Sequence, residues 1–425
     1  MIRIIKDSLS KREEIFGAKE ERVDVSATVS EIIAKVRAEG DAALRYYTEK
    51  FDKAKLTSLR VSEEEIEEAM VAIEPEFIRI LESAAENIRI FHARQKREGF
   101  ELKRENGVIV GQRVTPVEVA GIYVPGGTAA YPSTVLMDSI PAVVAGCPRV
   151  VMVTPPSKDG KVNPAILAAA KVAGVKEIYK VGGAQAVAAL AYGTETVPKT
   201  DKIVGPGNAF VAEAKRQVFG AVSIDMIAGP SEILVVADGK NVPKDIAADL
   251  LSQAEHDKMA SAVLVTDDEA FAEAVSAELE RQIPLLERAE IARASIDSNG
   301  KIIITADIDA AIEIANGIAP EHLELCLDEP FRYLAKVKHA GSVFLGRNCP
   351  EAIGDYFAGT NHTLPTSGTA RFSSPLSVED FIKTTQYIYY DKDALGKVAE
   401  DVAYFAKKEG LTAHAKSAVC RFEEK

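Results

Sequence analysis

The sequence has few of the residues that mark disulfide-stabilised or nucleic-acid-binding proteins. Its four cysteines, Cys147, Cys326, Cys349 and Cys420, lie far apart and form no CxxC pair. Such spacing is typical of a reducing compartment rather than of a disulfide framework. Lys and Arg total 51 against 64 Asp and Glu, which gives a net charge of -13. Nucleic-acid binders usually carry a basic excess, so the composition argues against that class of protein.

Long apolar runs are also missing. The N-terminal stretch MIRIIKDSLSKREEIFG lacks the apolar centre of a secretory signal. The longest uncharged run, Val119–Met137, is interrupted by two prolines and three glycines, whereas a membrane-spanning helix needs about 20 apolar residues. We therefore predict a soluble, cytoplasmic protein with neither a membrane nor a nucleic acid as partner.

The order of apolar patterns predicts an α/β fold. Residues 1 to about 100 show helical spacing, with a capping box at Ser62–Glu65. From Lys103 onward, β-rich segments alternate with helical ones, which indicates βαβ units and a mostly parallel sheet. Two successive series share one order of elements, which suggests a duplicated doubly wound half. A long helical run is expected from Ser377 onward.

We expect four regions along the chain. They are an N-terminal helical region over 1–105, a first doubly wound domain over 106–232, a second over 233–375, and a C-terminal helical tail over 376–425.

Glycine-rich loops follow several of the predicted strands. They are Tyr123–Gly127, Val181–Gln185, Val204–Asn208 and Ala228–Ser231. Ligands of open α/β sheets bind beyond the carboxyl ends of strands, and glycine lets backbone N–H groups approach a phosphate closely. No loop has the GxGxxG spacing of the common dinucleotide fingerprint. Each loop alone is compatible with a tight turn, but four on one sheet edge favour a nucleotide site.

Histidines beside acids or amides are candidates for chemistry. Gln253 and His256 are three apart in a helical run, so their side chains share one face, roughly 5–6 Å apart at Cβ. This spacing suits two ligands of one metal, although a solvated helix face would show it too, and no HExxH motif is present. Glu321 and His322 are adjacent and could supply two proton-transfer groups; a surface turn is the alternative.

Taken together, these motifs closely resemble the histidinol dehydrogenase family. The stretches that carry the resemblance, in chain order, are YVPGG, VGGAQAVAAL, VGPGNAFVAEAKR, IDMIAGPSEILV, DLLSQAEHD, APEHLEL, GDYFAGTNHTLPTSGTAR and EGLTAHAKS. The resemblance implies two NAD-dependent oxidations of L-histidinol to L-histidine through L-histidinaldehyde, the last steps of histidine biosynthesis. It also implies two incomplete Rossmann-like domains, one zinc ion per subunit, and a homodimer whose C-terminal tail completes the partner's active site.

The resemblance further assigns roles to residues of this sequence. It implies Glu321 and His322 as the catalytic acid–base residues. It implies the zinc ligands Gln253, His256, Asp355 and His414. It implies the NAD-binding residues Tyr123, Gln185 and Asn208. It implies a substrate site formed by Ser231, His322, His362, Glu409 and the four zinc ligands.

Two other functions remain open at this point. A metal-dependent hydrolase could use the same Gln/His/Asp/His site with Glu321 as general base, but it would leave the glycine loops without a purpose. A non-catalytic nucleotide-binding regulator would not need the Glu321–His322 pair.

Overall fold

A computed structural model describes residues 2–17, 24–126 and 130–423. The strands are β1 Arg3–Lys6, β2 Phe100–Lys103, β3 Ile109–Pro116, β4 Val119–Tyr123, β5 Arg149–Thr154, β6 Glu177–Lys180, β7 Lys202–Val204, β8 Ser223–Ile224, β9 Glu232–Ala237, β10 Ser261–Thr266, β11 Lys301–Ile304, β12 His322–Cys326, β13 Ser342–Leu345 and β14 Ile382–Tyr389.

The α-helices are α1 Arg12–Phe16, α2 Ser26–Glu39, α3 Asp41–Asp52, α4 Glu63–Ala72, α5 Pro75–Ala93, α6 Pro132–Ala145, α7 Pro164–Ala173, α8 Gly183–Tyr192, α9 Ala209–Val218, α10 Pro243–Ala254, α11 Glu269–Gln282, α12 Ala289–Asn299, α13 Ile308–Ile318, α14 Pro330–Leu334, α15 Glu351–Tyr356, α16 Lys392–Gly396, α17 Ala399–Lys408 and α18 Thr412–Val419. Short 3-10 helices cover Leu9–Lys11, Ile283–Leu285, Thr369–Arg371, Val378–Phe381 and Cys420–Phe422. Among the described helices, none has both the length and the apolar character needed to cross a bilayer.

Two parallel sheets share one strand order. The first runs β6-β5-β4-β7-β8 and the second runs β1-β11-β10-β9-β12-β13. Numbered from β4 and from β9, both follow the order 3-2-1-4-5, which is the Rossmann order without its sixth strand. All pairings within the two sheets are parallel. The predicted α/β, doubly wound fold is confirmed, and the shared order supports the suggested duplication.

Burial on both faces explains the apolar composition of these strands. In β9, Val235 packs into one core and Leu234 and Val236 into another, on opposite faces of the sheet. In β5, Met152 and Val153 divide between two cores in the same way. Parallel sheets covered by helices on both faces need such continuous apolar runs. The central strands can therefore be predicted from the sequence.

The N-terminal region is less purely helical than the sequence predicts. Helices α2 to α5 form as expected, and Ser62 closes the predicted capping box with Glu65. However, Arg3–Lys6 forms strand β1, which pairs in parallel with β11 and extends the second sheet. The pairing partner lies far along the chain, so local periodicity gives no indication of this strand.

The chain folds into two compact units. The first comprises Met1–Gln95 and Val117–Phe381, and the second comprises Lys96–Pro116 and Ile382–Lys425. The second unit holds an antiparallel sheet of order β14-β3-β2 and helices α16, α17 and α18.

The C-terminal tail over 376–425 was expected to be helical, and this is wrong for β14. Residues Ile382–Tyr389 form an eight-residue strand that pairs with β3 along its whole length, with Gln386 opposite Gln112. This segment is rich in Thr, Tyr and Ile, which favour strands. The helical expectation holds only from Lys392 onward.

Candidate active site

The expected acid–base pair, Glu321 and His322, lies at the amino end of the second sheet. Helix α13 ends at Ile318, and His322 is the first residue of β12, between β9 and β13. Both Glu321 and His322 are buried, with 7% and 4% of their surfaces exposed. A surface turn is thereby excluded for this pair. The amino edge also differs from the carboxyl edge at which open α/β sheets usually bind ligands.

The hydrogen bond at His322 identifies which ring nitrogen can act as a base. Its Nδ1 lies 2.9 Å from the carbonyl oxygen of Glu232, and a carbonyl can only accept, so Nδ1 carries the proton. Nε2 then presents a lone pair, and it has no hydrogen-bond partner among the described residues. Burial lowers the pKa of His322, so the ring is neutral near pH 7 and able to accept a proton.

Glu321 is held in place by the backbone of β9. Its Oε2 accepts a hydrogen bond from the Glu232 N–H at 2.8 Å and lies 3.7 Å from His322 Nδ1. Burial raises the pKa of Glu321 well above its usual range, and the nearby carboxylates raise it further. Once it is ionised, a carboxyl group with a raised pKa is a stronger base than an ordinary glutamate.

Two of the four expected zinc ligands, Gln253 and His256, present a donor atom without another partner among the described residues, and a third, Asp355, lies close to His322 and His362. Gln253, in the last turn of α10, is buried, and its Oε1 has no hydrogen-bond partner among the described residues. His256 lies just beyond the helix, and its Nδ1 donates to the Ser252 carbonyl at 2.8 Å, which leaves Nε2 available. Asp355 on α15 interacts electrostatically with His256. An amide oxygen, an imidazole nitrogen and a carboxylate form a donor set that zinc accepts.

The structure adds Glu351, which sequence reasoning missed. Its Oε1 lies 3.8 Å from His322 Nε2, and Asp355 Oδ1 lies 3.9 Å from the same nitrogen. These three side chains could together hold a metal ion. Burial and the Asp355 charge raise the pKa of Glu351 to about 7. Glu351 precedes Asp355 by four residues on one helix, so helical spacing could have identified it.

Hydrogen bonds join the loop that carries Ser231 to the loop that carries His362. The Gly229 N–H donates to Thr366 Oγ1 at 2.6 Å, and the Ser367 N–H donates to Glu232 Oε1 at 3.1 Å. His362 Nδ1 lies 3.7 Å from Asp355 Oδ1. Ser231 immediately precedes β9. Ser231 and His362 therefore lie at the same end of the second sheet as Glu321 and His322.

The expected nucleotide loops meet at the carboxyl edge of the first sheet. The Gly183 N–H donates to the Tyr123 hydroxyl at 3.0 Å. Gly205 has a φ of +121°, and a Cβ there would lie 2.1 Å from the Tyr123 carbonyl oxygen, so only glycine allows this approach. Gln185 is buried at the start of α8, and Asn208 caps α9.

One part of the glycine-loop prediction is wrong. The loops after β4, β6 and β7 share one edge, but Ala228–Ser231 leads into the amino end of β9 in the second sheet. This loop therefore lies beside Glu321 and His322 and away from the other three. Gly127, at the end of the first loop, lies outside the described residues.

A buried carboxyl group connects the two edges. Asp138 on α6 accepts a hydrogen bond from Thr363 Oγ1 at 2.6 Å, next to His362. Its second oxygen faces Gly205, with 3.2 Å between this oxygen and a Cβ placed on the glycine. Burial raises the pKa of Asp138 to about 8. Helix α6 thus joins the nucleotide loop after β7 to the substrate loop.

His414 and Glu409 belong to the second compact unit. Glu409 follows α17 and His414 lies on α18, and both side chains are exposed. They line one groove of about 1060 Å³ in this unit. Exposed apolar side chains share the groove, among them Ile388, Val402 and Phe405.

Comparison with known proteins agrees with this arrangement. The histidinol dehydrogenase family model matches residues 17–422. The histidinol dehydrogenase of Clostridium acetobutylicum is 53% identical over 100% of this chain and 99% of its own length. That of Bacillus subtilis is 54% identical over 95% and 94%. The crystal structure of histidinol dehydrogenase from Elizabethkingia anophelis superposes with a TM-score of 0.94, at 40% identity over 99% of this chain and 98% of that one.

The match extends over both sheets, the acid–base pair and the second unit. A metal-dependent hydrolase and a nucleotide-binding regulator have no support from these relatives. The chain belongs to the histidinol dehydrogenase family and is an oxidoreductase.

Proposed function

We propose that this chain oxidises L-histidinol to L-histidine through L-histidinaldehyde, with NAD as hydride acceptor. The observation that carries the proposal is the buried, neutral His322, whose Nε2 lone pair has no partner among the described residues. Alcohol oxidation by hydride transfer needs such a base, because the hydroxyl proton must leave as the hydride leaves.

Protons are divided between two residues in this proposal. His322 Nε2 takes the hydroxyl proton in each oxidation. Glu321 takes a proton from the water that adds to the aldehyde carbon, and the resulting hydrate is the substrate of the second oxidation. The raised pKa of Glu321 makes its carboxylate a stronger base toward water than that of an ordinary glutamate. The hydrogen bond from the Glu232 N–H keeps its carboxylate beside the ring.

Gln253, His256 and Asp355 are proposed to hold one zinc ion per subunit, together with a histidine from the tail. The buried Gln253 Oε1 supports this choice, because a buried polar atom without a partner is costly. His256 adds a nitrogen donor, since its Nδ1 bonds to the Ser252 carbonyl and leaves Nε2 available. Zinc supplies, when bound, a Lewis-acidic centre for substrate nitrogen atoms. Ser231 and His362 are proposed to contact the substrate from the two loops beside it.

Tyr123, Gln185 and Asn208 are proposed to bind NAD at the carboxyl edge of the first sheet. The close contacts between their loops support a single binding surface there. Helix α8 begins at the second of these loops, and the N-terminus of a helix suits a phosphate.

We further propose a homodimer in which His414 and Glu409 complete the partner's active site. In the single chain both are exposed beside apolar side chains, Phe405 with 68% and Ile388 with 73% of the surface exposed. Exposed apolar patches of this kind mark protein interfaces, and a two-fold axis makes the exchange reciprocal.

Incubation with L-histidinol and NAD tests the activity directly. We expect NADH absorbance to rise, with about two NADH formed per histidine because both oxidations reduce NAD. A hydrolase or a binding protein would form no NADH from this mixture, and that result would reject the proposal.

Removal of the metal is expected to abolish histidinol oxidation. Chelation should stop NADH formation and added zinc should restore it. His256→Asn should lose zinc, measured by elemental analysis, while circular dichroism shows an intact fold. Glu255→Gln, in the same turn but outside the ligand set, should keep both zinc and activity. Full activity of protein shown to be metal-free would remove zinc from the mechanism.

A further inference from the structure

Asp52 occupies a position that is unfavourable for a carboxylate. It is the last residue of α3, where the helix dipole disfavours negative charge. Its Oδ2 is buried and has no hydrogen-bond partner among the described residues. The neighbouring Lys53 donates to the Lys50 carbonyl at 2.7 Å. Burial raises the pKa of Asp52 to about 6. Residues that lower the local stability of the fold in this way are expected at binding sites.

This carboxyl group borders the carboxyl edge of the first sheet. It is close enough to Tyr123 for its charge to raise the pKa of the hydroxyl, after the larger effect of burial. That hydroxyl accepts a hydrogen bond from Gly183, the first residue of α8. Helix α3 packs against α8, and the chain after α3 runs beside β6, where the Lys180 N–H donates to the Leu59 carbonyl at 2.7 Å. Asp52 therefore lies near Tyr123 of the first expected NAD loop, and its helix packs against α8, which begins at the second.

Only some classes of ligand can pair with the Asp52 carboxylate. An unpartnered carboxylate oxygen accepts hydrogen bonds, so the ligand must donate them. A divalent cation would need several oxygen ligands, and the described residues place Asp52 in no metal-binding group. A dinucleotide carries ribose diols, which donate hydrogen bonds. Many dinucleotide sites recognise NAD through a carboxylate that accepts a hydrogen bond from the 2′-hydroxyl.

We propose that Asp52 accepts hydrogen bonds from the adenosine ribose diol of NAD and excludes the 2′-phosphate of NADP. The inference rests on the proposed NAD-dependent activity. A 2′-phosphate would remove one donor and place a second negative charge beside the carboxylate. Asp52 is thus a cofactor-binding residue that determines specificity and takes no part in proton transfer.

The test compares Asp52→Asn and Asp52→Ser with the wild-type enzyme, using NAD and NADP at saturating histidinol. We expect the KM for NAD to rise about tenfold to a hundredfold, the range of a lost hydrogen bond to a charged group. The kcat and the KM for histidinol should stay unchanged, and NADP should become a better substrate relative to NAD. Removal of the buried charge should leave the melting temperature equal or higher, which a structural role would not allow.

Glu49→Gln is the matched control, because Glu49 lies on the same helix and is exposed, paired with Lys55 at 3.2 Å. It should behave as wild type. An equal effect in Glu49→Gln, or an unchanged NAD KM and NADP preference in both Asp52 variants, would overturn the inference while leaving the proposed activity intact. Absence of NADH formation by the wild-type enzyme would instead overturn the proposed activity itself.

Discussion

His322→Asn is expected to slow both oxidation steps by roughly 100-fold to 10,000-fold, the usual contribution of a positioned general base. Asparagine can still donate toward the Glu232 carbonyl, but it offers no basic nitrogen in place of Nε2. Since each oxidation releases one proton as the hydride leaves, histidinol and the hydrate of histidinaldehyde should be affected alike. Single-turnover rates with each substrate measure the two steps separately.

Glu321→Gln should separate the two steps. The glutamine carbonyl can still accept from the Glu232 N–H, which now bonds to Glu321 at 2.8 Å, so the local structure should persist. Turnover of histidinol should fall because the aldehyde is no longer hydrated, whereas pre-formed hydrate should be oxidised at close to the wild-type rate. His339→Asn, which replaces a histidine outside the site, serves as the control. Equal slowing of histidinol and hydrate would show that the division of roles is wrong.

Much of the fold could be predicted because its information is local. The alternation of β4, α6, β5, α7 and β6 appears directly in the pattern of apolar residues, and buried parallel strands repeat it after β9. Several strands were missed, among them two whose partners are remote in sequence. β1 has four residues and pairs with β11, and β14 pairs with β3. The four-residue β1 shows no pattern of its own, whereas the Thr, Tyr and Ile residues of β14 are a local strand signal that the helical expectation overlooked.

The candidate site was predictable where its residues are adjacent or one helical turn apart. Glu321 and His322 are neighbours, and Gln253 and His256 are three apart. The tautomer of His322 could not be predicted, because it depends on a carbonyl of β9, 90 residues away in sequence. The position of Asp138 in the site could not be predicted either, because its hydrogen bond to Thr363 depends on tertiary packing.

If the active site is shared between subunits, two inactive chains should restore each other. We expect a His322→Asn chain and a His414→Asn chain, each inactive alone, to regain activity after joint unfolding and refolding. In the mixed dimer one site carries both substitutions and the other carries neither. Random pairing should give about a quarter of wild-type activity, since half of the dimers are mixed and one of their two sites is intact.

The matched control pairs His322→Asn with His256→Asn. Both residues lie in Val117–Phe381, so every site of that mixed dimer carries one substitution and no activity should return. Native mass spectrometry confirms that mixed dimers have formed in each case. If the His322→Asn and His414→Asn mixture forms mixed dimers yet stays inactive, each site is built from one chain. His414 and Glu409, which are exposed in the single chain, would then have to be covered by something other than the active site of a partner subunit.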